Sequence, residues 1–496
     1  MGLAAVSRIV LLLFATVLCG VLAQDAPLWV QGDFEDATVT DDTFNSGGTV
    51  TVNGWEMKVP KNLLVQFPAA WVPWREFVAI KNDLVGFETL VMGNTVNGEQ
   101  LVGQIVIYQF FENLASGYIE SVNMTDGSLQ LRNGPKVRIN DPNGVFSVGY
   151  SGFPQFTADD VNPSITSFSG FPMCIPRNTT DPLCPMSQRQ FTGAGIFTAP
   201  DPLVMAPLQA GDFITYAGVR KNGEILAFNI VVNNVQIQTT GNLAYVRVEL
   251  ALLGIDNPSP NAEITPTRFV GFTSNKAATV SIYAMDVDPC TGETKDRIIA
   301  STGLRGGGNE QNKFEYRNDV LARYTREYRV TVEINGIQQT RITKNGLTAG
   351  TYVAPVNVWV QGEQVVPGTA PVPHDFSEMG WLTQGVGADA DGNIWGPIEP
   401  FPQSGVLIDV PVCATTSSAR VASSNTTVSA RDMTTRRSAK FKRESYAQAR
   451  SEAIADAQNV GTVDPGFTVD PAEQALIDAK KAKKAAAAAA AGVTLA

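Results

Sequence analysis

Apolar and polar residues alternate with a period of two through most of the chain before residue 413, and that period predicts strands. Gly48-Thr-Val-Thr-Val-Asn-Gly54 alternates and ends in a turn dipeptide. Ile105 to Phe110, Gly117-Tyr-Ile-Glu-Ser-Val122 and Ser128-Leu-Gln-Leu-Arg132 read as a meander. Phe213-Ile-Thr-Tyr-Ala217, Ile225 to Val232 and Val235-Gln-Ile-Gln-Thr239 repeat that arrangement. The two sets share an opening, Gly103-Gln-Ile-Val-Ile-Tyr108 and Gly211-Asp-Phe-Ile-Thr-Tyr216. They predict two related barrel-like units over Leu101–Pro142 and Leu208–Thr240, of the OB or a similar kind.

From Thr267 the spacing changes. Arg268-Phe-Val-Gly-Phe272, Thr279-Val-Ser-Ile-Tyr-Ala-Met285, Lys313-Phe-Glu-Tyr316 and Glu327 to Ile334 fall at sandwich-like intervals, and Asn335-Gly336 is a hairpin signal. An immunoglobulin- or fibronectin-like sandwich is predicted there, and no amphipathic helix before residue 414. The fold class is therefore all-β. The predicted divisions are a leader (1–23), an N-terminal β region (24–100), a first barrel-like unit with a disulfide loop (101–200), a second (201–262), a sandwich (263–413) and a disordered tail (414–496). Trp29-Val-Gln-Gly-Asp33 and Trp359-Val-Gln-Gly-Glu363 nearly repeat, as equivalent strand-turn pieces would.

The two ends differ from the body. Arg8, the apolar run Ile9 to Leu22 and the small residues before Gln24 read as a secretory signal peptide. Ala414 to Ser429 is rich in Ser, Thr and Ala, and dibasic pairs follow at Arg436-Arg437 and Lys442-Arg443. The alanine run Ala485 to Ala491 is too short and too weakly apolar for a membrane anchor. The tail carries 12 Lys+Arg against 8 Asp+Glu, a net +4, which leaves -15 on the rest of a chain whose total is -11. An acidic body argues against nucleic acid and anionic membranes as partners. At 496 residues and 44% hydrophobic, the chain can bury several cores.

Cysteine usage fits an oxidising compartment. Beyond the leader, Cys174, Cys184, Cys290 and Cys413 allow three pairings. The short loop between Cys174 and Cys184 is the easiest to close, which leaves Cys290 for Cys413. Sequons stand at Asn123, Asn178 and Asn425.

The chemistry is bounded mainly by what is missing. His374 is the single histidine, so zinc or copper sites with several imidazoles are excluded. Gly149-Tyr-Ser-Gly-Phe153 fails the nucleophile-elbow pattern at its last position, and no Asp-Thr-Gly or Asp-Ser-Gly occurs. Asp389, Asp391 and Asn393 alternate around Gly392 as calcium loops do, and an acidic hairpin turn is the alternative. Trp71 and Trp74, held by Pro73 and preceded by Phe67, could form a platform for sugar rings, with Trp395 a further candidate. The competing reading is that these rings are core.

Thr51-Val-Asn-Gly-Trp-Glu-Met-Lys-Val-Pro-Lys-Asn-Leu-Leu-Val-Gln-Phe-Pro-Ala69, Val137-Arg-Ile-Asn-Asp-Pro-Asn-Gly144, Ser169-Gly-Phe-Pro-Met-Cys-Ile-Pro176 and Thr325-Arg-Glu-Tyr-Arg-Val330 resemble segments of secreted β-rich proteins of filamentous fungi. The resemblance implies an extracellular protein and carries no catalytic residues. The expected function is a secreted, non-enzymatic glycoprotein of the cell surface or cell wall. Its expected partner is a wall polysaccharide or another extracellular protein, with no cofactor beyond the calcium candidate. The alternative is a carbohydrate-active enzyme using a carboxylate pair.

Overall fold

The computed structural model describes residues 25–408 apart from 69, 108–113, 160–161, 190–194, 255–266, 306–310, 319–322, 360–367, 369 and 390, together with Cys413, 467–469 and five single residues between 471 and 482. The leader, Asn425 and both dibasic pairs lie outside the described residues. Among those described, no helix is long and apolar enough to cross a membrane.

Barrel one is built from β1 (Ala26–Val39), β2 (Gly48–Val52), β3 (Trp55–Val59), β4 (Leu64–Gln66), β5 (Trp71–Pro73), β6 (Glu88–Val96) and β7 (Glu99–Ile107), with α1 (Trp74–Ala79) after β5. The sheet order is β3-β2-β1-β6-β7, and β3 pairs back to β7 in parallel, so five strands close on themselves. That is the strand order of an OB-like barrel. The sequence forces it through its turns. Asn53-Gly54 and Asn97-Gly98 all take positive φ, which closes tight hairpins with the twist that flanking strands need. Leu28, Val30 and Phe34 alternate inward from β1 to meet Val50, Val52, Met57 and Val59. Each such fully buried side chain contributes about 1.5–3 kcal/mol relative to exposure.

Barrel two uses β8 (Leu114–Asn123), β9 (Ser128–Leu131), β10 (Lys136–Ile139) and β11 (Ile165–Ser167), then an excursion, then β15 (Phe213–Lys221) and β16 (Glu224–Val232). The excursion carries β12 (Met173–Cys174), β13 (Gly195–Thr198) and β14 (Ala206–Pro207); β13 pairs with β17 (Val235–Gln238), which follows β16. The closed order is β10-β9-β8-β15-β16, again sealed by a parallel pair, β10 with β16.

The two barrels agree at the level of register. The closing pairs are Lys58 with Leu101 and Arg138 with Leu226. The fourth strands carry bulges at Met92/Gly93 and Ala217/Gly218. The first strands carry bulges at Phe34/Asp36 and Ile119/Ser121. The hairpins turn at Asn97-Gly98 and Asn222-Gly223. Glycine is required at both fourth-strand bulges: a Cβ on Gly93 would sit 2.0 Å from the Leu101 carbonyl oxygen, and one on Gly218 would sit 2.3 Å from that of Leu226.

The unit boundaries read from sequence are corrected accordingly. Gly103 to Ile107 belongs to barrel one, whose β7 it completes, and the meander from Ile105 is split between two barrels. The segments Leu101–Pro142 and Leu208–Thr240 are not two barrels. Residues 114–139 and 213–232 make one barrel, separated in sequence by the long excursion.

The sandwich begins earlier than 263, at β18 (Val246–Gly254). It continues through β19 (Thr267–Thr273), β20 (Thr279–Val287), β21 (Thr294–Thr302), β22 (Lys313–Asn318), β23 (Glu327–Ile334), β24 (Ile337–Gln338), β25 (Arg341–Ile342), β26 (Thr348–Ala349), β27 (Thr351–Pro355) and β28 (Asn357–Trp359). One sheet runs β22-β19-β18-β28, and the other places β27 and β23 beside β20 and β21. This is the fibronectin-like division of strands, with the Asn335-Gly336 turn where the sequence predicts it. Of the two Trp-Val-Gln-Gly pentads, Trp29 lies in β1, antiparallel to β6, and Trp359 ends β28, parallel to β18; the rest of the second pentad lies outside the described residues.

Residues 370–408 form a strap rather than part of the sandwich. It carries α2 (Gly380–Thr383) and a small hairpin, β29 (Gly387–Ala388) with β30 (Ile394–Trp395). The strap is wedged between barrel one and the sandwich: Phe376, Met379, Leu382, Ile398 and Phe401 share one core with Leu90, Met92 and Val106 of barrel one and with the sandwich interior. The Cys290–Cys413 disulfide then ties the end of the body back to the sandwich. Inside the tail expected to stay disordered, β31 (Phe467–Val469) pairs antiparallel with β21, because β21 would otherwise leave an open sheet edge. The expectation is corrected for those three residues; most of the tail lies outside the described residues.

Candidate functional site

Both disulfides form as the spacing predicts, Cys174–Cys184 with Cα atoms 6.1 Å apart and Cys290–Cys413 at 5.5 Å. Asn123 and Asn178 are exposed, each with its side-chain oxygen accepting the backbone N–H of the Thr two residues on. That places both sequons on open turns.

The tryptophan platform is overturned. Trp71 is 7% exposed, Trp74 1% and Trp395 5%. Pro73 does not hold a surface loop; it is the residue before α1, and the helix carries Trp74 inward to stack on Phe77 at 5.2 Å and to donate Nε1–H to the Thr38 carbonyl. Trp395 meets Phe44 edge-on at 5.2 Å.

The calcium reading also fails. Asp389 Oδ1 accepts the backbone N–H groups of Asp391 and Asn393, and its Oδ2 accepts from Asn393 Nδ2 and Trp395 Nε1. Burial raises this carboxyl's pKa, yet those hydrogen bonds outweigh burial and hold it below the ordinary value. Four donors from the loop itself occupy the lone pairs a cation would need. Among the described residues no group of three or more His, Cys, Asp or Glu is placed to hold a metal. Asp389, Asp391 and Asn393 form the hairpin turn.

His374 is fully buried in the strap, where its backbone exchanges two hydrogen bonds with the Asn94 side chain, 2.8 and 2.9 Å. Burial lowers its pKa to about 4. A buried neutral imidazole whose nitrogens have no hydrogen-bond partner and whose ring meets Phe376 edge-on is packing, not a surface base.

Two features missed by sequence reasoning remain. The first is an open face on barrel two. Tyr118 of β8 is 47% exposed and packs its ring 4.9 Å from that of Phe213, its cross-strand neighbour on β15. The Arg132 guanidinium lies over the Tyr118 ring at 5.5 Å. Farther along the same face, the Thr215 hydroxyl accepts from Asn233 Nδ2 at 2.6 Å. Aromatic faces, a guanidinium and amide donors together can stack on and hydrogen-bond a polar ring. The face ends where Ala217, Val219 and Phe228 turn into the contact with barrel one. The signal was present in the alternation: Ile119 and Ile214 point inward, so Tyr118 and Phe213 point out.

The second is a small cavity between barrel one and the strap, lined by Trp71, Gln104, Arg326, Trp381, Leu382 and Ile398 among others. It offers about 20 Å³ to water centres, room for one small group. No carboxylate lines it. Arg326 lies over Trp71, 4.4 Å from the ring centroid. Burial lowers the Arg326 pKa, while the charge of Glu327 acts to raise it. No known protein-family model matches the chain, and no curated protein matches it in sequence.

Proposed function

We propose that the protein is a secreted, multidomain β glycoprotein of the cell surface or cell wall, of the kind its fungal resemblance implies. It acts by binding, without catalysis, and polysaccharide is the partner class. The observation that carries this reading is the open Tyr118–Phe213 face of barrel two, with Arg132 across the ring. OB-like barrels use strand faces and their loops to hold oligosaccharides and oligonucleotides. The charge of -11 disfavours the second class. The cavity without carboxylates gives no support to a glycoside hydrolase, whose two acids must flank one bond.

The test is co-sedimentation of the protein with insoluble glucan and chitin, alongside an assay for released reducing ends. Depletion from the supernatant without sugar release is expected. The Tyr118→Ala, Phe213→Ala double variant should bind at least about tenfold more weakly while losing only the ring pair's ~0.5–1.5 kcal/mol of stability, since stacking of a ligand ring on an aromatic side chain contributes on the order of 1–3 kcal/mol. Released sugar would overturn the non-enzymatic reading. Binding unaltered in the double variant would remove barrel two as its site.

A further inference from the structure

We propose that the cavity beneath the strap is a binding site for a small monoanion, a halide or a carboxylate of formate size, held by the Arg326 guanidinium. Three observations converge on it.

Arg326 is partly exposed, and it brings its guanidinium to the cavity wall without a counter-charge. Its guanidinium makes no ion pair and donates no hydrogen bond to any described residue, and its Nε is buried without an acceptor. Glu327, its neighbour in sequence, acts on it through space. The Trp71 ring covers one face of the guanidinium and supplies quadrupole attraction, but it accepts none of the five N–H groups in the guanidinium plane. Buried arginines elsewhere are matched: Arg189 is bidentate to Asp212, and Arg268 to Glu315 is 2.9 Å.

Gln104 brings a second polar side chain to the cavity lining, and Gln66 lies behind it. Gln104 is 3% exposed and Gln66 1%. They share one hydrogen bond, Gln104 Nε2 to Gln66 Oε1 at 3.1 Å, leaving Gln104 Oε1 and Gln66 Nε2 without partners. Turning both amides over keeps that bond and frees Gln104 Nε2, which then becomes a second donor on the cavity wall. Asn62, also lining the cavity, is fixed: it accepts from Asn45 and donates to the Pro397 carbonyl.

The size selects the ligand. About 20 Å³ for water-sized centres admits one chloride, bromide or carboxylate oxygen and excludes a sugar ring. Leu63 and Leu64 of barrel one and Leu382, Val386 and Ile398 of the strap also line it, so an occupied site would hold the strap to barrel one.

The experiment is thermal unfolding of the full chain in sodium chloride, bromide or formate against sodium gluconate at equal ionic strength. The small anions should raise the melting temperature by about 1.5–2 °C over gluconate, as a ligand at roughly ten times its Kd does for a body of this size. Arg326→Met, which keeps the stem over Trp71, should erase the difference. Equal melting in gluconate and chloride, or an anion effect retained in Arg326→Met, would overturn the proposal. Should Arg326→Met fail to fold, bromide-soaked wild-type crystals decide. An anomalous peak against the Arg326 guanidinium supports the site, and its absence overturns it.

Discussion

Barrel one and barrel two share strand order, closing pair, bulges and turn residues, yet they meet their surroundings differently. At the position where barrel one has Asp33 across from Glu88, barrel two has Tyr118 across from Phe213. Leu90 and Met92 of β6 are buried against the strap and sandwich, whereas their counterparts on β15 are Thr215, which faces outward, and Ala217, which packs on barrel one. Asn94, which latches His374, corresponds to Val219 in the barrel–barrel contact. The closure of each barrel depends on inward residues and Asn-Gly turns, which are alike. The partner of each barrel depends on outward residues, which are not. The same device therefore serves as an anchored core in one copy and as an open face in the other.

They are also stapled differently. Barrel one is packed against α1, which turns Trp74 and Phe77 into its core and leaves Arg75 and Glu76 exposed. Barrel two encloses the bidentate Arg189–Asp212 pair, neither side chain exposed, and the buried Cys174–Cys184 bond. Removing a partner from the ion pair should be the most damaging single change. Asp212→Ala strands a buried guanidinium and frees the Gln209 amide as well, a loss of about 3–5 kcal/mol. Denaturant unfolding followed by a probe in each barrel should show barrel two failing first. A loss below about 1 kcal/mol would mean the pair contributes nothing net.

The next effect belongs to barrel one. His374 is held neutral with a folded pKa of about 4, below the unfolded value near 6.5. Between those values the unfolded chain binds the proton and the folded chain does not. Stability is thus complete above about pH 6.5 and falls by about 3 kcal/mol as pH drops to 4. His374→Phe should flatten that stretch of a midpoint-versus-pH curve measured above pH 4.5, where most carboxylates have yet to titrate. The barrel-two contact offers no such group at Val219. An unchanged slope in His374→Phe would show that the strap opens to water.

Smaller still is the disulfide. Cys174→Ser with Cys184→Ser opens a loop of sequence separation 10, and should cost about 2–3 kcal/mol. The loss should leave the binding face intact, because Tyr118 and Phe213 sit on strands outside the loop.

Much of this was legible in the sequence and some was not, for physical reasons. Strand period, the Asn-Gly turns, the sandwich spacing and both disulfides are local or nearly local properties, and they were readable. Barrel closure was not, because Lys58 with Leu101 and Arg138 with Leu226 are pairings between distant strands. The excursion between β11 and β15 hid the true repeat and made Gly103 look like the partner of Gly211. The fate of Trp71, Trp74 and Trp395 was decided by the strap and by α1, a six-residue helix too short to show a period. Asp389 reads as a ligand until its four hydrogen bonds are counted, and these depend on the hairpin and Trp395 closing over it. The open face of barrel two was readable in outline, since outward positions follow from inward ones. That it stays open depends on where barrel one ends.

The smallest expected effect on stability is the most informative about the comparison. Tyr118→Asp with Phe213→Glu installs barrel one's outward pair on barrel two. Both positions are at least partly exposed, so much of their surface is solvated either way, and the loss is chiefly the ring pair, about 0.5–1.5 kcal/mol. Arg132 would then face a carboxylate in place of a ring and gain a surface ion pair of about 0–1 kcal/mol, which offsets part of that loss. Folding should therefore be nearly unchanged while retention on insoluble glucan or chitin disappears. The reverse exchange, Asp33→Tyr with Glu88→Phe, should not create binding in barrel one. There the Gln31 amide packs on Glu88, and the next outward residue, Leu90, is already buried beneath the strap and sandwich. Binding gained by that exchange would mean that the outward pair alone defines the site. Binding lost from barrel two and not gained in barrel one would mean that an open neighbouring strand face is also needed.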